Sequence, residues 1–365
     1  MQIAFVNFIG TGKFGGGEKW MVSAGSQLVA KGHDVIIIGK KGSKFLDHAM
    51  KAGISSLGIS RWQHATGYYF ITVTQALSMQ KNDILICNLN TDVRTIGLLA
   101  KLRGTPVILA RHGLLSYNKK RWRYKISAQY ILDGIITNSK TIKTTYADYG
   151  WFDEKFVKVI YNGITIPDHV VPYDFAKRFP GKKVIYSAGR LAEQKGFVYL
   201  IEAAAILQKN RNDLLFAISG EGKLESELKQ QVANLGLENS FIFLGLSADI
   251  YPYLKGCDLF VLSSLFEGMP NVVMEAMAMQ KAVVATNVNG VQELMVEGET
   301  GLIVPAKEPQ ALANAIAQVI ENPDMLALFG KMGYERVTKE FTMSAMADNL
   351  EHHLQQRLQE TLPDS

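Results

Sequence analysis

Glu267 and Glu275 are separated by seven residues in the run Ser263-Ser-Leu-Phe-Glu-Gly-Met-Pro-Asn-Val-Val-Met-Glu. Gly268, Pro270 and Asn271 have the composition of a turn entering a helix. The helix that follows, VVMEAMAM, is apolar all round except at Glu275. A carboxylate in such surroundings needs polar partners, because burying it unpaired is costly. A polar ligand lying against the helix start would supply them. The backbone at Gly268, Met269, Pro270 and Asn271 would then form an anion-binding helix terminus.

Upstream, Gly189-Arg190-Leu-Ala-Glu-Gln-Lys195-Gly196 places an arginine and a lysine five positions apart between glycines. The guanidinium offers a planar fork and the ammonium a point charge, a combination suited to a diphosphate. Near the N-terminus, Gly10, Gly12 and Gly15 match G-x-G-x-x-G, followed by Gly16, Gly17 and Glu18. A dinucleotide site of this kind also wants an acidic residue at the end of the second strand. Gly39 and Lys40 stand there instead, so a nicotinamide site is disfavoured. The loop can still bring backbone amides against a phosphate or a sugar. No Walker A loop and no Asp-x-Asp occurs, and no metal site is expected.

These motifs must be held by elements that alternate along the chain. Short Val-, Ile- and Phe-rich runs read as strands at 3–7, 35–38, 84–88, 106–110, 134–137 and 157–161. The second half repeats them at 183–188, 214–219, 241–244, 259–263, 282–286 and 301–304. Most are apolar on both faces, as in parallel sheets covered by helices on both sides. With 365 residues the chain suits two domains. The proline-bearing stretch 162–183 reads as the linker, and 341–365 as an amphipathic C-terminal helix. The expected division is therefore 1–165, 166–340 and 341–365, with the last helix returning to the N-terminal domain. Each domain is a Rossmann-like, doubly wound parallel sheet, and such sheets bind ligands beyond their carboxyl edges. Two of them in tandem should face a central cleft.

Composition narrows the class further. Apolar residues make up 47% and charged residues 20%, as in ordinary globular proteins. MQIAFVNFIG lacks the features of a signal peptide and reads as a buried first strand. Cys87 and Cys257 each sit in an apolar segment and read as buried free thiols of a reducing, cytoplasmic compartment. Residues 1–165 carry 22 Lys and Arg against 9 Asp and Glu, whereas the rest carry 17 against 25. A basic half suggests an anionic partner: membrane, glycan or nucleic acid. From Lys119 to Lys125 five cations interleave with Trp122 and Tyr124. That pattern suits an anionic membrane interface, or a solvated helix whose Trp122 packs inward.

Taken together, Glu267-x7-Glu275, GRLAEQKG, NSKTIK (138–143), IYNGI (160–164) and NGVQELMVEGETGLIVP (289–305) resemble glycosyltransferase family 4 over nearly the whole chain. The resemblance implies the GT-B fold and a retaining, metal-independent glycosyltransferase with no cofactor. The donor would be a nucleotide-sugar, most commonly a UDP-sugar. The acceptor would be a glycan or a lipid-linked glycan of bacterial polysaccharide or lipopolysaccharide synthesis, reached at the cytoplasmic face of a membrane. It further implies that Glu275 holds the donor ribose and Glu267 the donor sugar. Arg190 and Lys195 would neutralise the diphosphate, and Gly16 and Gly17 would approach it from the other domain. His112, in ALARHGLL, would lie beside the transferred sugar, and Glu18 near the acceptor. Other readings are a nucleotide-sugar epimerase or phosphorylase of the same fold, an NAD-dependent oxidoreductase, or a sugar-nucleotide sensor. A nucleic-acid binder would explain the basic half but not Glu275 or the phosphate motifs, so no nucleic-acid partner is expected.

Overall fold

The computed structural model of the chain describes residues 1–60, 82–116 and 122–361. They form two compact units, Met1–Gly163 with Met343–Ser365, and Ile164–Thr342.

The first unit is built on β1 (Gln2–Asn7), β2 (Asp34–Lys40), β3 (Ser55–Ile59), β4 (Ile84–Cys87), β5 (Val107–His112), β6 (Gly134–Thr137) and β7 (Val157–Val159). All pairings are parallel, in the order β3-β2-β1-β4-β5-β6-β7. Side chains alternate between the two faces along each strand. Ile3, Phe5, Ile37, Ile86 and Leu109 join one core with Trp20, Met21 and Leu28 of the Gly16–Ala30 helix. Ala4, Val6, Ile38, Leu85 and Ile108 join the opposite core with Ile96, Ala100 and Ile131. Burial on both faces is why these strands read as continuous apolar runs.

The second unit repeats the plan with β8 (Lys183–Ala188), β9 (Leu214–Ser219), β10 (Phe241–Gly245), β11 (Leu259–Leu262), β12 (Ala282–Thr286) and β13 (Gly301–Val304). Their order is β10-β9-β8-β11-β12-β13, again all parallel. Twelve strands stand where the apolar runs place them. The thirteenth, β3, is an edge strand whose sequence SSLGI is half-exposed and carries little apolar signal.

The strand order reverses direction between β1 and β4 and again between β8 and β11. Loops leaving such neighbouring strands diverge and open a crevice at the carboxyl edge. The glycine-rich loop follows β1, and Asn88 follows β4. In the second unit Gly189–Gly196 follows β8 and Ser263–Pro270 follows β11. Each unit thus sets its motif loops at its own switch point.

The Met343–Thr361 helix belongs to the first unit. Met346, Leu350 and Leu354 enter the core beside Trp20 and Leu28. At its rim Glu351 binds Lys31 and His33, each at 2.7 Å. Cys87 and Cys257 are buried and unbridged. Among the described residues, no helix is long and apolar enough to cross a membrane.

Candidate active site

In the second unit, the loop after β8 and the loop after β11 are laced together by backbone and side chains. The amide of Leu265 donates to the Gln194 carbonyl (2.7 Å), and the Ser263 hydroxyl donates to the Lys195 carbonyl (2.9 Å). The Gln194 side-chain amide donates to the Phe266 carbonyl (3.0 Å). Gly196 makes this approach achievable. It adopts φ 59°, and a Cβ there would collide with the Ser263 carbonyl oxygen. Gly290, at φ 78°, similarly lets the loop after β12 close on the Gly268 carbonyl.

The lacing brings Lys195 and Glu267 together. Lys195 Nζ lies 2.6 Å from Glu267 Oε1, which also accepts from the Ser264 hydroxyl at 2.7 Å. Residues read separately as diphosphate and sugar ligands are therefore an ion pair in this structure. Arg190 is exposed at the same edge and forms no ion pair among the described residues. The helix Asn271–Ala278 starts beyond the N-cap Pro270 without a side-chain cap. Gly268, Met269 and Pro270 are buried beneath that start. Glu275 is half-buried, and its charge helps hold the Tyr251 hydroxyl above its ordinary pKa, behind the larger effect of burial. Tyr251 itself donates to the Thr165 carbonyl at 3.1 Å.

In the first unit, the glycine loop ends where the Gly16–Ala30 helix begins. Gly16 faces open space, whereas a Cβ at Gly17 would press on the Asn88 amide at 3.1 Å. Glu18 turns inward. Its carboxylate accepts from the Gly15 amide and from Asn7 Nδ2, both at 2.7 Å, and so closes the helix start. Arg111 is buried beneath, 4.8 Å from the Trp20 ring, and donates to Asn162 Oδ1 at 3.3 Å. Burial draws the Arg111 pKa down to about 10, against the opposing pull of Glu18.

His112 is buried at the end of β5, with Nδ1 2.9 Å from the Tyr146 hydroxyl. That phenol oxygen already accepts from the Ser116 amide at 3.1 Å. The phenol thus holds the Nδ1 edge of the imidazole, as donor or acceptor according to the tautomer. Burial, and then the neighbouring Arg111, lower the His112 pKa to about 3. Both effects favour the neutral ring.

Asp92 is a buried carboxyl that the sequence did not mark. It sits beyond β4, accepts from the Phe8 amide at 3.2 Å, and anchors the start of the glycine loop. Burial pushes its pKa up to about 7, against hydrogen bonds that pull it down. The folded state keeps this proton between roughly pH 4 and 7 while the unfolded state releases it. Stability from this group is thus full below pH 4 and lost as pH rises through 7. Asp92→Asn should remove that loss. It should raise stability at pH 8 by up to about 4 kcal/mol and leave pH 4 nearly unchanged. Urea denaturation at the two pH values checks this. An equal effect at both would show that Asp92 does not hold the extra proton.

Of the basic segment 119–125, residues 119–121 lie outside the described residues. Trp122 opens the Trp122–Ile131 helix and is exposed rather than packed inward.

Two doubly wound parallel units, each with its motif loops at the carboxyl edge of its switch point, define the GT-B class of fold. The chain belongs to the family 4 glycosyltransferases. Residues 14–166 match Glycosyltransferase Family 4 and residues 173–336 match Glycosyl transferases group 1. The lipopolysaccharide core biosynthesis glycosyltransferase LpsE of Rhizobium meliloti is 33% identical over 59% of this chain, and the match spans 62% of LpsE. An alpha-1,4-N-acetyl-D-galactosaminyltransferase of Campylobacter jejuni, named for a substrate carried on PP-undecaprenol, is 27% identical over 88% of this chain and 89% of its own. The structure of Anabaena HepE in complex with UDP superposes with TM-score 0.86 at 23% identity, covering 98% of this chain and all of that one.

Proposed function

We propose that the chain transfers a sugar from a UDP-sugar to a glycan or lipid-linked acceptor, in bacterial polysaccharide or lipopolysaccharide synthesis. Transfer proceeds with retention of configuration and without a metal or other cofactor, at the cytoplasmic face of a membrane. The observation that carries this reading is the clustering of Arg190, Lys195, Glu267 and the Asn271 helix start at one switch point of the second unit. Departure of the diphosphate builds negative charge on phosphate oxygens and positive charge on the sugar ring. The exposed Arg190 and the helix start at Asn271 suit the first. Glu267, held by Lys195 and Ser264, suits recognition of sugar hydroxyls. Glu275 would hold the ribose. A neutral His112 places no cation beside the developing positive charge. The relatives named for lipopolysaccharide and undecaprenol-linked substrates support the acceptor class, and the UDP complex of HepE supports the carrier.

Thermal unfolding with UDP, GDP, ADP or NAD tests the donor site. At about a hundred times its dissociation constant, UDP should add roughly 2.7 kcal/mol of stability. Glu275→Ala should abolish most of that gain. A shift with NAD alone, or one indifferent to Glu275, would reopen the oxidoreductase reading.

A further inference from the structure

We propose that Arg111 and Asn88 form a subsite for an ionised group, carboxylate or phosphate, carried by the acceptor. The proposal deepens the transferase reading above and rests on it: Arg190 and Lys195 serve the donor in the second unit, and the acceptor is left to the first.

Arg111 stands one residue before the end of β5 and is 4% exposed. The Trp20 ring covers one face of its guanidinium, 4.8 Å away. Nη2 donates to Asn162 Oδ1 at 3.3 Å. Nη1 lies between two glycines. A Cβ on Gly113 would overlap it, and a Cβ on Gly17 would lie 3.6 Å from it. That same Cβ on Gly17 would press on the Asn88 amide, 3.1 Å from Nδ2 and 3.2 Å from Oδ1. Because both positions lack a side chain, Nη1 and the Asn88 amide converge on a recess that neither glycine fills. Gly17, Asn88 and Gly113 are each half-buried, so the recess reaches the surface of the unit.

Charge selects the ligand. Arg111 forms no ion pair among the described residues, and Asn162 is its one hydrogen-bond acceptor there. Glu18 is the carboxylate whose charge reaches it, but that carboxylate is engaged by the Gly15 amide and Asn7 Nδ2. A guanidinium carries more N–H donors than one acceptor can satisfy, and a buried cation without a contacting counter-ion is costly. Trp20 Nε1, in the ring packed on the guanidinium, is also buried without an acceptor. A carboxylate or phosphate supplies acceptors and the missing negative charge together, in short charge-assisted hydrogen bonds. A neutral sugar hydroxyl could accept one N–H and would leave the charge uncompensated.

Calorimetric titration of the full chain, at low salt and without donor, tests the subsite. The probes are methyl glucuronide, glycerol phosphate and the neutral methyl glucoside. At least one of the two anions should bind about tenfold or more tightly than the glucoside, and the tighter one identifies the group as carboxylate or phosphate. Asn88→Asp sets a carboxylate of the protein beside Nη1. It should lower that anion's affinity about tenfold or more without lowering the melting point, because the new charge pairs with Arg111. Arg111→Met removes the cation and should erase the preference for anion over glucoside. UDP-induced thermal stabilisation should persist in both variants, which shows that they fold. Its absence from the wild type would count against the transferase reading, whereas anion binding is read without any nucleotide. Equal binding of anions and glucoside by the wild type would overturn the proposal. So would a preference that survives Asn88→Asp, or loss of the UDP effect in folded variants, which would assign Arg111 to the donor.

Discussion

Glu267→Gln should lower kcat/KM for glycosyl transfer by about a hundredfold or more while the protein remains folded. Glu267 is buried, and three side chains converge on it: Lys195 at 2.6 Å, Ser264 at 2.7 Å and Gln194 at 3.4 Å. Glutamine keeps the shape and one acceptor oxygen, so Ser264 retains a partner and the loops stay laced through Leu265 and Ser263. The charge is lost. Lys195, its side chain 16% exposed, can turn toward water rather than stay buried without a counter-ion. The stability cost should therefore stay near 1–2 kcal/mol, below the 3–5 expected when a fully buried pair loses one member. Glu267→Ala removes both acceptor oxygens and should cost more of both stability and rate. Urea denaturation and steady-state kinetics on one preparation separate the two effects. Wild-type kcat/KM in the glutamine variant would mean that the carboxylate only laces the loops and that sugar recognition lies elsewhere.

That ion pair shows where sequence reading stops. Glu267 and Lys195 were each legible as a site residue, because each sits in a motif at a strand's carboxyl end. Their mutual contact was not, since 72 positions separate them and nothing local to either names a partner. The strands were legible for the opposite reason. Burial on both faces leaves an apolar run that needs no partner to be recognised, and β3 escaped because an edge strand reading SSLGI has no such run. Glu18 was legible as an acidic residue beside the glycine loop. Only the fold turns its carboxylate inward to Asn7 and the Gly15 amide. Arg111 could have been found: a charge inside the otherwise apolar strand VILARH demands buried company. That company is Trp20 and Asn162, and Asn162 lies in the IYNGI motif.

The same reasoning makes Tyr146 a positioning residue for His112, with a measurable consequence. The helix Lys140–Ala147, begun within the NSKTIK motif, carries the phenol that holds the imidazole from 2.9 Å. His112→Ala should lower kcat/KM by about a hundredfold, the scale of one lost polar group at a reacting centre. Tyr146→Phe should cost about tenfold by the same scale, because the ring stays but Nδ1 loses its hydrogen-bond partner. Nitrogen NMR should report the wild-type His112 in a single tautomer and neutral down to at least pH 5, in keeping with a pKa lowered to about 3. Tyr146→Phe should show both tautomers. A depressed histidine pKa also means that the unfolded chain binds this proton first. His112 therefore costs no stability above its ordinary pKa of about 6.5, and costs progressively more as pH falls from there toward 3. His353, lowered to about 4, acts in the same direction. Acid unfolding should accordingly start at lower pH in His112→Gln, which cannot titrate. An acid limb of the kcat profile near pH 6.5 that disappears in His112→Gln would instead show that the imidazole titrates and takes part as an acid or base.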